Sequence, residues 1–294
     1  MNSASPYRGR LAPSPTGYLH LGHARTFWRA QERARARGGV LILRNEDLDT
    51  ARCQPEFSGA LLEDLRWFGF AWREGPDVGG DYGPYEQSRR TNLYRAAFDK
   101  LRAGNYVYPC GCSRRDIQAA GAAPHAADDE VIYPGTCRPQ ANPSRPSRGP
   151  GPEGSVARPS ARRAWRFRVP DGQEIAFVDG NFGPQRFVAG EAFGDFVVWR
   201  GDDVAAYQLA CVADDAAMRI TEVVRGADLL LSTARQLLLY RALELPPPAF
   251  FHCELLRDAA GRRLAKRQAA LSLRELRARG LQPPELRSGW EGGG

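Results

Sequence analysis

Arg8-Gly9-Arg10-Leu11-Ala12-Pro13-Ser14-Pro15-Thr16-Gly17-Tyr18-Leu19-His20-Leu21-Gly22-His23 is the stretch around which the rest of the chain is organised. Tyr7 to Ala12 reads as a short strand, followed by a loop of Pro, Ser and Gly. A helical pattern then sets Ala24, Phe27, Trp28, Gln31 and Ala34 on one face and stops at Gly38-Gly39. Strand, glycine-bearing loop and helix together build a phosphate site, because backbone N–H groups and the positive helix end face the anion. Of the four histidines in the chain, His20 and His23 stand here as His-x-Gly-His. Two imidazoles in that position can donate to phosphate oxygens and to the charge that develops in phosphoryl-type transfer.

Working outward, Val40 to Leu43 is a continuous apolar run, as in a strand buried on both faces of a parallel sheet. It ends in Arg44-Asn45-Glu46-Asp47-Leu48-Asp49, and ligands of open α/β sheets bind beyond the carboxyl ends of strands. Glu56 to Phe68 and Tyr94 to Leu101 read as helices, the second ending at Gly104. Apolar periodicity fades between Cys110 and Arg163, and Gln140 to Arg163 has the composition of a surface insertion. Trp165 to Val169 alternates as a strand, Pro170-Asp171-Gly172 is a turn, and Glu174 to Val178 is expected to return as its hairpin partner. Phe196 to Trp199 and Ile220 to Val224 read as core strands. Ser232 is expected to cap a helix from Thr233 to Leu243, stopped by Pro246-Pro247-Pro248. A short helix spans Leu273 to Arg279, and the end from Trp290 is expected to fray.

A chain of 294 residues with net charge +7 can bury a large core and suits a polyanionic partner. Lysine occurs only at Lys100 and Lys266 against many arginines, a skew that also fits a GC-rich coding background. With no signal peptide and no apolar run of membrane-spanning length, the six cysteines are expected as reduced thiols in the cytoplasm. Cys110-Gly111-Cys112 and Cys137 offer three corners of a tetrahedral zinc site. By ligand softness the fourth corner falls to His125; Tyr133, four residues before Cys137, is the alternative. Cys53, Cys211 and Cys253 are isolated and expected to be core or inert.

With these blocks laid out, the chain resembles the glutamyl-tRNA synthetase group of class I aminoacyl-tRNA synthetases. The likeness rests on Arg-Leu-Ala-Pro-Ser-Pro-Thr-Gly leading to His-Leu-Gly-His, Arg-Asn-Glu-Asp-Leu-Asp, Cys-Gly-Cys, Ala-Tyr-Gln-Leu-Ala and Thr-Glu-Val-Val-Arg-Gly-Ala-Asp-Leu, in family order. It implies an α/β Rossmann-type catalytic domain in two halves, 1–105 and 193–249. A zinc-bearing insert, 106–192, and a signature-loop and stem-contact segment, 250–294, complete the expected division.

It further implies activation of glutamate by ATP and Mg2+ as glutamyl adenylate, then transfer to tRNA. His20, Gly22, His23 and Lys266 would hold ATP, with His20, His23 and Lys266 catalytic and Gly22 giving the adenine room. Ala265 stands where the family usually has serine. Arg10, the backbone of Leu11, Ala12, Pro13 and Ser14, then Glu46, Tyr207 and Arg225 would take glutamate. Asp47 and Asp49 would order the loop. Zinc would sit on Cys110, Cys112, Tyr133 and Cys137, as in the family's short paralogues. Only about thirty residues follow Lys266, which matches those paralogues, whose acceptor is the queuosine base in the anticodon loop of tRNA(Asp). Arg158, Arg162, Arg163, Arg166 and Arg168 are candidates for phosphate contact, and a monomer without membrane association is expected.

Overall fold

The computed structural model describes residues 6–113, 115–117, 132–139, 163–255, 271–288 and 290. Its frame is a parallel sheet. Strand β1 (Arg8–Leu11) leads through helix α1 (Leu21–Ala36) to β2 (Val40–Leu43), which pairs with β1 in parallel, Arg10 opposite Ile42. Helix α2 (Pro55–Phe68) follows, then α3 (Thr91–Ala103). The other half of the frame is β8 (Glu222–Gly226), α5 (Leu230–Ala242) and β9 (Ala249–Cys253), again a parallel pair with Arg225 opposite His252. β1 lies against β8: the Thr221 N–H donates to the Arg8 carbonyl at 2.9 Å, and the Arg10 guanidinium donates to the Val224 carbonyl at 2.8 Å.

The alternation of the strands divides the apolar residues between two cores. Ile42, Val223 and Phe250 enter a core with α3, α4 (Tyr207–Ala217) and α5, while Leu41, Leu43, Val224 and Phe251 enter one with α1, α2 and α6 (Leu273–Ala278). Successive strand side chains point to opposite faces, so the unbroken apolar runs reflect burial on both. At the turn into β2, a side chain on Gly39 would place its Cβ 2.5 Å from the Tyr7 carbonyl, so only glycine lets the chain pass β1 here.

Strand partnership departs from the expected hairpin. β4 (Ala164–Phe167) pairs antiparallel with β3 (Val107–Cys110) and with β7 (Phe196–Trp199). β5 (Glu174–Asp179) instead pairs antiparallel with β6 (Gly183–Val188) and touches β9 in parallel at Asp179 and Phe250. The expected boundary at 192/193 therefore does not coincide with strand partnership: β5 and β6 extend the parallel sheet, and β7 completes the small one. Ser232 does not cap α5, because a 3-10 turn over Ala227–Leu229 carries the helix back to Leu230. Ser232 is buried within it, accepting from Gln208 Nε2 at 3.1 Å. Trp290 is not frayed: its ring stacks on Phe68, centroids 5.6 Å apart. A short helix α7 (Pro283–Arg287), missed in the sequence, precedes it. Among the described residues no helix is long and apolar enough to cross a membrane.

Candidate active site

His20 caps α1 from an extended backbone, and the His23 and Ala24 N–H groups donate to its carbonyl at 3.0 and 3.1 Å. The two imidazoles stack, centroids 3.9 Å apart at 28°. A Cβ on Gly22 would lie 3.2 Å from the His20 ring, so glycine here keeps that imidazole in place. Leu273 N–H donates to the Leu19 carbonyl at 2.7 Å and Ser272 bridges to His20, bringing the chain after the signature segment back to this motif. Lys266 and Ala265 lie outside the described residues, as do His125, Arg158 and Arg162.

Beside this helix start, the carboxyl ends of β1, β2 and β8 gather the residues expected to take an amino acid. Leu11 and Pro13 spend their carbonyls on the Arg44 and Glu46 N–H groups, at 2.8 and 3.0 Å, which locks the Leu11–Ser14 loop onto the end of β2. Glu46 is buried, and its Oε1 accepts from Arg44 Nη2 at 2.9 Å. Burial raises the Glu46 carboxyl above its ordinary value, and the Arg44 and Arg10 guanidinium groups work against that rise. Arg10 and Arg225 are buried too. Each keeps a guanidinium nitrogen, Arg10 Nε and Arg225 Nη1, with no hydrogen-bond acceptor among the described residues, although Asp215 Oδ1 lies 3.6 Å from Arg10 Nε.

Tyr207 opens α4 with 40% of its surface exposed and the remainder buried. That burial, with Cys211 and Glu46, pushes it well above the ordinary tyrosine value against Arg225 and Arg10. The four expected glutamate ligands thus lie within electrostatic reach of one another, two cationic donors and one carboxylate around the Tyr207 phenol. Asp47 and Asp49 play the ordering part expected of them: Asp47 accepts from the Ser88 N–H at 2.8 Å, and Asp49 pairs with Arg52 at 2.6 Å.

Sequence reasoning missed the residues behind this group. Arg44 is fully buried and reaches Glu46 at 2.9 Å, Asp215 at 2.7 Å and Asp214 at 3.6 Å. Cys211 is buried, as expected of a core thiol, and its Sγ donates to Glu46 Oε1 at 3.7 Å. The family block Arg-Asn-Glu-Asp-Leu-Asp contained Arg44, but the general arginine excess hid its role.

The second cluster lies on β3 and the loop before β4. The sulfurs of Cys110, Cys112 and Cys137 all lie within 4.8 Å of one another, with Cys112 and Cys137 at 3.5 Å. The Tyr133 hydroxyl is 3.4 Å from Cys110 Sγ and 3.8 Å from Cys112 Sγ. Zinc with Zn–S bonds of about 2.3 Å and a Zn–O bond near 2.0 Å needs tetrahedral edges of about 3.8 Å and about 3.5 Å, so the set fits. Burial alone would push the Cys110 thiol up; its hydrogen bonds with Tyr133 and Arg166 outweigh that and hold the thiol below its ordinary value. Arg166 is thereby corrected as an RNA contact. It is buried, donates from Nε to Cys110 Sγ at 3.3 Å and from Nη1 to the Asp195 carbonyl at 2.8 Å, and covers the Tyr133 ring at 3.9 Å.

A parallel sheet with a His-x-Gly-His helix start and buried Arg10, Glu46 and Arg225 at its strand ends defines a class, and the comparisons agree. The family described as "tRNA synthetases class I (E and Q), catalytic domain" matches residues 7–289. The chain belongs to that family, the class I aminoacyl-tRNA synthetases, which are ligases.

Within the family it is 51% identical to the glutamyl-Q tRNA(Asp) synthetase of Symbiobacterium thermophilum, over 94% of this chain and 82% of that one. It is 49% identical to the protein of the same name from Nitratidesulfovibrio vulgaris, over 93% and 82%. Glutamate–tRNA ligase 2 of Nitrosococcus oceani is 42% identical over 94% of this chain but 57% of its own length. Among solved structures, a glutamate tRNA ligase from Elizabethkingia meningosepticum in complex with its amino acid superposes with a TM-score of 0.72 at 30% identity. That match covers 94% of this chain and 54% of the ligase.

Proposed function

We propose that the chain joins glutamate to ATP as glutamyl adenylate and passes the glutamyl group to the queuosine base of tRNA(Asp). The observation that carries this is that Glu46, Arg225 and Arg10 all lie close enough for their charges to act on the Tyr207 phenol. Glutamate has two carboxylates and one ammonium. Two arginines with unspent donors answer the first, and Glu46 with the Tyr207 ring answers the second.

The first step forms a bond between a carboxylate oxygen of glutamate and the α-phosphorus, and breaks the bond to pyrophosphate. A carboxylate needs no base to attack; it needs alignment and neutralised charge. His20, His23 and the N–H groups at the α1 N-terminus supply donors for that charge, and Lys266 of the signature segment supplies a compact cation. In the second step an acceptor hydroxyl attacks the acyl carbon, the ester forms and AMP leaves.

The choice of acceptor is supported by likeness to the two glutamyl-Q tRNA(Asp) synthetases, each matched over 82% of its length. We further assign zinc to Cys110, Cys112, Cys137 and Tyr133. Burial and the neighbouring thiols raise the Tyr133 phenol well above its ordinary value, so binding as a phenolate requires the charge of the ion itself. The ion would close β3 onto the 132–139 segment, a structural role.

Labelled glutamate tests the acceptor. Transfer is expected to tRNA(Asp) carrying queuosine and not to the same tRNA carrying guanosine, with nuclease mapping to the anticodon loop. Label on the terminal adenosine of tRNA(Glu) would overturn the acceptor while leaving the adenylate chemistry standing.

A further inference from the structure

Arg225 is held on one edge by a chain of buried groups that begins at the far end of β5. Asp179 Oδ1 accepts from the Asn181 and Phe182 N–H groups, each at 3.0 Å, which fixes the carboxylate and presents Oδ2 to His252 Nδ1 at 2.6 Å. A carboxylate accepts only, so Nδ1 carries the imidazole proton and Nε2 is left with its lone pair. That lone pair faces Arg225 Nε at 3.2 Å, and Thr233 Oγ1 lies 3.1 Å away. Arg225 Nη2 donates to Thr233 Oγ1 at 2.7 Å. Two nitrogens of the guanidinium are thus spoken for. The third, Nη1, is buried with no acceptor among the described residues.

The side chains of Asp179 and His252 have no solvent exposure. The ring lies near-parallel to Phe250, centroids 6.4 Å apart. The charged groups facing it are Asp179 from β5 and Arg225 from β8, with Thr233 from α5 as the polar neighbour. Burial first, then the Arg225 charge, keep the imidazole below its ordinary value against the pull of Asp179 and of a hydrogen bond with the Leu229 backbone, a balance that favours the neutral ring.

We infer that His252, held as its Nδ1–H tautomer by Asp179, is a positioning residue that aims Arg225 at a carboxylate of the substrate. This rests on reading Arg10, Glu46, Tyr207 and Arg225 as a glutamate site. Nothing in His252 touches substrate. It acts by offering Arg225 an acceptor on one side only, which leaves Nη1 as the donor to spend on a ligand.

The test reverses the tautomer. In Asp179→Asn the two backbone N–H groups keep the amide oxygen in the Oδ1 place, so the NH2 group donates to Nδ1 and moves the ring proton to Nε2, against Arg225 Nε–H. Isothermal titration of wild type and variants with L-glutamate, alongside glutamate-dependent pyrophosphate exchange, reads the result. D179N is expected to weaken glutamate binding about 10- to 100-fold, the range for a buried donor left opposing another donor, with the KM for ATP unchanged. His252→Phe should cost about as much, and adding D179N to it should cost little more. His252→Gln, whose amide oxygen reaches the Nε2 position, should recover most of the affinity even if D179N proves too unstable to assay. Wild type that binds no glutamate would sink the pocket assignment and this inference with it. Wild type that binds while D179N and H252F bind equally well, or costs that simply add in the double variant, would overturn the role of His252 alone.

Discussion

Arg44→Met removes the cation at the centre of the site without opening a hole, since Met is long and apolar. Arg44 is fully buried, and its three carboxylate partners raise its own affinity for a proton well beyond what burial takes away. Asp214 would keep Arg90 at 2.6 Å and Asp215 would keep Arg10 at 3.6 Å, but Glu46 would lose its ion-pair donor. Breaking one side of a buried ion pair costs about 3–5 kcal/mol, because the charge left behind is desolvated and unpaired. With a denaturant slope near 3 kcal/mol per molar urea, the unfolding midpoint should fall by about 1 to 1.7 M.

Acid should narrow the deficit. A carboxyl whose folded pKa is raised binds protons more readily in the fold than in the unfolded chain, so stability recovers as pH falls. The difference between R44M and wild type should therefore shrink from pH 8 to pH 5. Urea titrations followed by tryptophan fluorescence at several pH values measure both effects. A loss below about 1 kcal/mol, well under the buried-pair range, or a deficit that does not shrink in acid, would refute the view that Arg44 neutralises Glu46 and Asp215.

Three further outcomes are expected. Purified protein should carry one zinc per chain by elemental analysis; a chelator should lower its melting temperature, and Tyr133→Phe should release the metal more readily. His23→Ala should raise the barrier of glutamate-dependent pyrophosphate exchange by about 2–4 kcal/mol, the scale of one preorganised oxyanion donor, and Lys266→Ala should also slow exchange. His252, with its pKa depressed below 6.5 in the fold, contributes stability that is full above that value and lost as pH falls through it, since the unfolded chain then takes a proton the fold refuses. Thermal unfolding of H252F should lack that part of the acid sensitivity.

What was legible in the sequence was local. The strand–loop–helix of residues 7–36 and the acidic turn after β2 need only neighbours in the chain to take shape, and the structure has them as read. The cysteine cluster was equally plain, because ligand spacing is written in the sequence. Partnership was not. The period-2 alternation of Trp165–Val169 says strand but not which edge it meets, and β4 is claimed by Val107–Cys110 and Phe196–Trp199 rather than by the segment after the turn. The support behind the candidate site was illegible for a similar reason. Asp214, Asp215 and His252 sit in helix and strand positions that pattern alone assigns to the apolar core, and only the fold brings them to Arg44 and Arg225.

The join between β1 and β8 has a mechanical consequence. Among the described residues the ladders β1–β2 and β8–β9 are separate, and what crosses between them includes the Thr221–Arg8 bond and the hold of Arg10 on the Val224 carbonyl. The sheet is thus stitched at its middle, with the residue that would clasp an amino acid serving as one of the stitches. A ligand spanning Arg10 on one ladder and Arg225 on the other adds a further thread across the same seam. Occupancy would then be felt as stiffness along the whole frame, slowing amide exchange in β1 and β8 together, far from any atom the ligand touches.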